Sequence, residues 1–179
     1  KEDTIDYKND YFSLYPSAHI KKPLGDNKEL SLSYSRRVNR PRAHSLNPFP
    51  KYTDPLNLRR GNPYLNPEYI NSFELGYSSY GKKLTVTISL YYRYMTDMIQ
   101  RVKTIEDNLV SVTSWGNLDE GHFIGLEAVV IYKPKKWWRI MVSTNLSQNY
   151  LKSDDVELNN SGFSYTAHLS QTFNLKNNW

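Results

Sequence analysis

Four histidines, an arginine pair and a set of charges at alternate positions are the side chains here with chemistry to offer. His19, His44, His122 and His168 are scattered and lack the H-x-x-x-H or H-x-x-E-H spacing that aims two imidazoles at one metal ion. No metal site is expected. The sequence holds no G-x-S-x-G, no phosphate-cradling glycine loop and no G-x-G-x-x-G. Asp154 and Asp155 lie in a polar stretch and read as solvated carboxylates, not as an acid and its base. Cysteine is absent, which removes thiolate catalysis and disulfides. Neither an enzyme nor a cofactor is expected.

Binding is the more promising chemistry. Arg59 and Arg60 sit in a proline-rich stretch with Tyr64 close behind. Guanidinium groups are suited to bidentate contact with an anionic ligand or lipid phosphate. A solvated charge pair on a loop is the competing account. Arg37, Glu74, Arg93, Glu127 and Arg139 fall on the polar side of alternating segments. Arg37 and Glu74 read as a cross-strand ion pair, with Arg93, Glu127 and Arg139 alternating in sign beyond them. A wall of hydrated charges would look the same.

Those charges take their positions from strands. In 84–94, Leu84, Val86, Ile88, Leu90, Tyr92 and Tyr94 alternate with Thr85, Thr87, Ser89, Tyr91 and Arg93. A period of two is a strand with one apolar face. The pattern recurs around Phe73, around Trp138 to Tyr150 and from Phe163 to Leu175, and more weakly over 12–20, 30–38 and 124–132. About seven antiparallel strands follow. Their connections alternate in length. Gly25-Asp26-Asn27-Lys28, residues 80–83, Pro134-Lys135-Lys136 and Lys176-Asn177-Asn178 are tight turns. The others are long: 41–68 with six of the nine prolines, 97–120 with an extended hairpin around Glu106, and 152–160. Arg36 falls on the apolar face, and a bulge or a position at headgroup level would relieve it.

Composition narrows the class. Aromatics are 14% of 179 residues and 15 of them are Tyr, while the mean hydropathy is −0.69. No window approaches the ~18 to 20 apolar residues of a membrane helix. Membrane barrels share this profile, because only alternate residues face lipid. Runs of ten to twelve residues at ~3.3 Å each, tilted by ~40°, match the apolar band of such barrels. Tyr80, Tyr94, Tyr132, Trp137, Trp138 and Tyr150 fall near strand ends, where amphipathic rings meet headgroups. A net charge of +5 with no run of five like charges gives no sign of a nucleic-acid partner. Residues 1–10 are polar, read as a leader from a preceding loop, and contain no signal peptide. A soluble β-sandwich shows the same alternation and remains the alternative, as a surface adhesin or glycan-binding module.

The segment Gly61-Asn62-Pro63-Tyr64-Leu65-Asn66-Pro67-Glu68, followed by Ser72-Phe73-Glu74-Leu75-Gly76-Tyr77, closely resembles a signature of TonB-dependent outer-membrane receptor barrels. Ser33-Tyr34-Ser35-Arg36-Arg37-Val38-Asn39-Arg40-Pro41, Leu46-Asn47-Pro48-Phe49 and Gly125-Leu126-Glu127 resemble further strands and loops of the Bacteroidetes-type outer-membrane β-barrel family within that group. The resemblance implies an outer-membrane location and an active nutrient transporter, with outer-membrane lipid, the rest of the barrel, a plug domain and TonB as partners. The expected fold is an antiparallel up-and-down meander over 11–179, a partial barrel wall with 41–68 as an extracellular loop. Gly61, Asn62, Pro63, Leu65, Pro67, Glu68, Glu74 and Gly76 are expected to order that loop. Its prolines withhold ladder donors, and Glu68 is placed to accept backbone N–H groups where pairing resumes. The charges named above would line the lumen. Receptors of this kind need about 22 strands, so Trp179 reads as a truncation point. An isolated piece is expected to form an open curved sheet that self-associates through its uncovered faces and edges.

Overall fold

The computed structural model describes residues 13–106, 109–153 and 158–175, so the 1–10 leader and Trp179 lie outside the described residues. Seven long strands form one antiparallel meander: β1 (Ser17–Pro23), β2 (Lys28–Asn39), β5 (Glu68–Tyr80), β6 (Leu84–Ile105), β7 (Ser111–Lys135), β8 (Trp138–Ser153) and β9 (Leu158–Phe173). Between β2 and β5 the chain forms a short helix, α1 (Ala43–Leu46), and two short strands, β3 (Lys51–Asp54) and β4 (Asn57–Arg59). The described sheet therefore has nine strands instead of seven, and the extra two lie inside the stretch expected to be a loop. β1 also begins later than the 12–20 alternation suggests. Gly25, at φ 89°, supplies the left-handed turn residue between β1 and β2.

The register aligns like with like. Ile20, Leu32, Leu75, Leu90, Leu126, Leu146 and Tyr165 lie side by side, one from each long strand. Within this row Leu32, Leu75, Leu90, Leu146 and Tyr165 are between 40% and 74% exposed. No other part of the described chain covers them. Two rows further along the same face stand Arg36, Asn71, Tyr94, His122 and Tyr150. There the Tyr92 hydroxyl bonds His122 Nδ1 at 2.8 Å, and the Tyr94 and His122 rings lie 5.0 Å apart. At the opposite rim Trp137, Trp138 and Phe173 stack at 5.9 to 6.2 Å near Tyr132. From Tyr132 to His122 along β7 is ~33 Å, or ~25 Å of height at a ~40° tilt. An apolar band of bilayer height thus runs between two aromatic girdles.

Arg36 needs no bulge. The β2–β5 register runs unbroken through it, and its guanidinium lies 5.1 Å from the Tyr69 ring, level with the girdle. The side chains buried in the usual sense lie elsewhere. Leu58, Leu65, Met98, Val112 and Leu118, each at most 8% exposed, belong to the 57–66 segment and the outer halves of β6 and β7. The wall has an apolar face, and the loop has the core.

Candidate ligand-binding site

β6 and β7 continue as a two-stranded ribbon past the point where β8 stops, since the last β7–β8 pair is Glu120 with Lys152. From residue 117 outward that edge of β7 has no β8 partner, and its row of backbone groups must find other ones. The inserted segment fills it. β4 pairs in parallel with β7, Asn57 opposite Ser111 and Arg59 opposite Thr113. The Arg60 N–H then donates to Thr113 O at 3.1 Å. Pro63 has no N–H, and the Asn62 side chain takes over, donating from Nδ2 to Trp115 O at 3.1 Å. Asn66 closes the series: its N–H donates to Asn117 Oδ1 at 2.9 Å, and Asn117 Nδ2 donates back to Asn66 O. The motif segment acts as a surrogate strand.

Two close approaches fix its path. Gly61 donates its N–H to Asn47 O and Asn62 donates its own to Ser45 O, both at 2.7 Å. A Cβ on Gly61 would lie 2.5 to 2.6 Å from backbone atoms of Asn47 and Ser45, so only glycine fits. At the ribbon's base Asp97 adopts φ 54°, uncommon for a residue with a Cβ. Its carbonyl accepts Asn117 Nδ2 at 2.7 Å, and the next free donor, Ile99 N–H, is taken by Glu68 Oε2 at 3.0 Å. Glu68 is 6% exposed and Leu65 is 1% exposed.

This docking creates a basic concavity of about 500 Å³. Lys51, Arg59, Arg60 and Arg101 line it together with Phe49 and Trp115. The Arg101 guanidinium lies 5.0 Å from the Trp115 ring centre, and His44 meets the same ring edge-on at 5.8 Å. Arg60 pairs with Glu106 at 3.3 Å. Among the described residues, Arg59 and Lys51 have no carboxylate partner, although the β3–β4 register sets them opposite each other. At the hairpin tip the Leu56 N–H and the Asn57 amide hold the Asp54 carboxyl below its usual value. Tyr64, grouped in sequence with the arginines, is exposed and does not line the concavity. Lys51, Arg101 and Trp115 join the site only through pairing with β7, which nothing in their local sequence signals.

The model of the outer membrane protein beta-barrel family matches residues 1–179. This chain belongs to that family. No curated protein sequence matches it. Among solved structures, the barrel chain is similar to the siderophore receptor PirA from Pseudomonas aeruginosa, at 15% identity and a TM-score of 0.65, over 88% of this chain and 34% of that one. It is also similar to the copper transporter OprC, at 17% identity and a TM-score of 0.64, over 82% of this chain and 22% of that one. The chain therefore spans about a third or less of these barrels' lengths, and what it shares with them is the fold. Family and fold together place it in the outer membrane as a section of β-barrel wall.

On the polar face of the wall the register separates the expected ion pair. Glu74 lies opposite Ser33 and Arg37 opposite Ile70, four residues or ~13 Å apart along the strands. Lys28 and Ser79, beside the two tight turns, are themselves paired, and from them Arg37 is nine residues in and Glu74 only five. Glu74 instead accepts Ser89 Oγ at 2.6 Å, and Glu127 accepts Asn145 Nδ2 at 3.0 Å. Arg93 lies over the Tyr91 ring at 4.9 Å. That ring occupies the space a side chain at Gly125 would need, which explains the small residue in Gly125-Leu126-Glu127. Arg139 lies opposite Thr172, far from the level of Glu127, so the alternating ladder is not formed as a row. A trough of about 400 Å³ lies between Arg37, Glu74, Tyr91 and Arg93, floored by serines.

Proposed function

We propose that the chain is part of a TonB-dependent outer-membrane receptor that takes up a scarce nutrient, supplying wall strands and an extracellular ligand-facing loop. The observation that carries this reading is the combination of an uncovered leucine row with a proline-rich loop docked on its own ribbon. An apolar face left open to the surroundings suits lipid. An ordered loop at the far rim suits ligand recognition. In this reading the short turns at 24–27, 81–83 and 136–137 face the periplasm and the 40–67 segment faces outward. Arg59, Arg60 and Tyr64 contact the ligand, while Arg37, Glu74, Arg93, Glu127 and Arg139 line the lumen against a plug domain. Outside its parent barrel the sheet would associate with copies of itself.

The test is uptake. Cells expressing the full-length protein should accumulate a nutrient from a panel of metal chelates, vitamins and glycans, and deletion of tonB should abolish accumulation. Recovery of the protein in the soluble fraction would favour a soluble surface domain instead, and uptake unaffected by the deletion would remove energy coupling from the reading.

A further inference from the structure

Resting on the ligand-facing role of the loop, we infer that the concavity between β3, β4 and the ribbon is a phosphate-binding site centred on Lys51, Arg59 and Arg101. Arg60, although it lines the same hollow, is partly neutralised by Glu106. Lys51 and Arg59 are cross-strand neighbours of like charge, an arrangement that opposes hairpin formation unless a counter-charge sits between them. The surrounding sequence deepens the imbalance, with Arg40 and Arg42 lining an adjoining hollow that shares His44 and Trp115. The hairpin's own acid, Asp54, is engaged by Leu56 and Asn57 at the tip and does not line the hollow.

The charge count selects the ligand class. A carboxylate brings one negative charge to three cations that have no carboxylate partner among the described residues. A phosphate monoester brings ~1.5 to 2 charges at neutral pH and three acceptor oxygens, enough for two guanidinium forks and an ammonium. The Trp115 ring holds Arg101 in place from one side, so less side-chain freedom is lost on binding. Two sources present this chemistry at a cell surface: a soluble phosphorylated ligand and the phosphates of a lipid A headgroup.

The test titrates the full-length protein in detergent with inorganic pyrophosphate and, separately, with micellar lipid A carrying or lacking its phosphates. At least one phosphorylated probe should bind, and the Lys51→Gln/Arg59→Gln double variant should weaken it by about tenfold or more. Lys82→Gln/Lys83→Gln, an equal charge loss at the opposite rim, should leave it unchanged. Binding of pyrophosphate assigns a soluble ligand, and binding of phosphorylated lipid A alone assigns the headgroup. The inference is overturned if neither probe binds, if both double variants weaken binding equally, or if lipid A without phosphates binds as well. Should the double variant fail to assemble, Arg59→Gln alone must still weaken binding and Arg59→Lys must retain part of it. A protein that fractionates with the outer membrane yet binds no phosphate sinks the site alone, whereas a soluble protein sinks the receptor reading.

Discussion

The buried carboxylate of Glu68 accepts the backbone N–H of Ile99 at 3.0 Å, joining the end of the proline-rich segment to the ribbon just beyond its irregular residue, Asp97. Glu68→Ala leaves that N–H without a partner in a confined setting, a local cost of ~1 to 3 kcal/mol. Hydrogen exchange at Ile99 and along 62–67 should quicken, while the amides of β8 and β9 keep their protection. Unchanged exchange at Ile99 would show that the contact is incidental.

Gly61→Ala puts a methyl group against the Asn47 and Ser45 backbone. The expected result is displacement of α1 or of the 60–62 segment, seen as faster proteolysis within 43–62, with the barrel's heat-resistant migration on gels unaffected. A variant as resistant to protease as the parent would mean the backbone can absorb the methyl group.

Adjacent positions in β6 should answer oppositely to the same charge. Leu90→Arg places a cation in the middle of the leucine row and should cost ~2 to 4 kcal/mol in vesicles, by urea unfolding. Ser89→Arg points to the polar face beside Glu74 and should cost little. Equal effects would contradict the assignment of faces.

The Asp54 carboxyl is held below its ordinary value of 3.8 by the Leu56 N–H and the Asn57 amide. A depressed folded value means that its contribution to the hairpin is fully present above 3.8 and is lost as the pH falls below it. Leu56 amide exchange, corrected for intrinsic rates, should therefore be flat from about pH 5 upward and rise in acid. Asp54→Asn should remove the acid rise; its persistence would place the titration on another group.

Much of the wall was legible because a strand facing lipid on one side must alternate. Leu84 to Tyr94 announces its faces without reference to any partner, and the row through Leu32, Leu75, Leu90, Leu126 and Leu146 follows once like sides are aligned. The Arg37–Glu74 pair fails on count alone, since the turn-side ends Lys28 and Ser79 are paired and Arg37 lies nine residues in while Glu74 lies five. β3 and β4 are hidden for a different reason. Three or four residues such as Asn57-Leu58-Arg59 become a strand only against the uncovered edge of β7, more than fifty residues away. Nor does Met95-Thr96-Asp97-Met98 betray a left-handed residue inside a long strand. The Glu68 carboxylate was expected to meet backbone amides, but which amide it meets depends on where β5 stops pairing with β6, at Tyr69 and Thr96.

From Asp97 to Ile105 the ribbon runs eight residues, ~26 Å, and carries Arg101 and the docked hairpin toward its far end. Mechanically that is a mast stepped at one irregular joint and stayed by Asn66, Asn117 and Glu68. A swing of ~10° at the joint moves the tip by ~4 to 5 Å and carries the hollow with it, since its cations sit on the ribbon and the docked hairpin. The three stays thus set the aim of a basic surface they never touch.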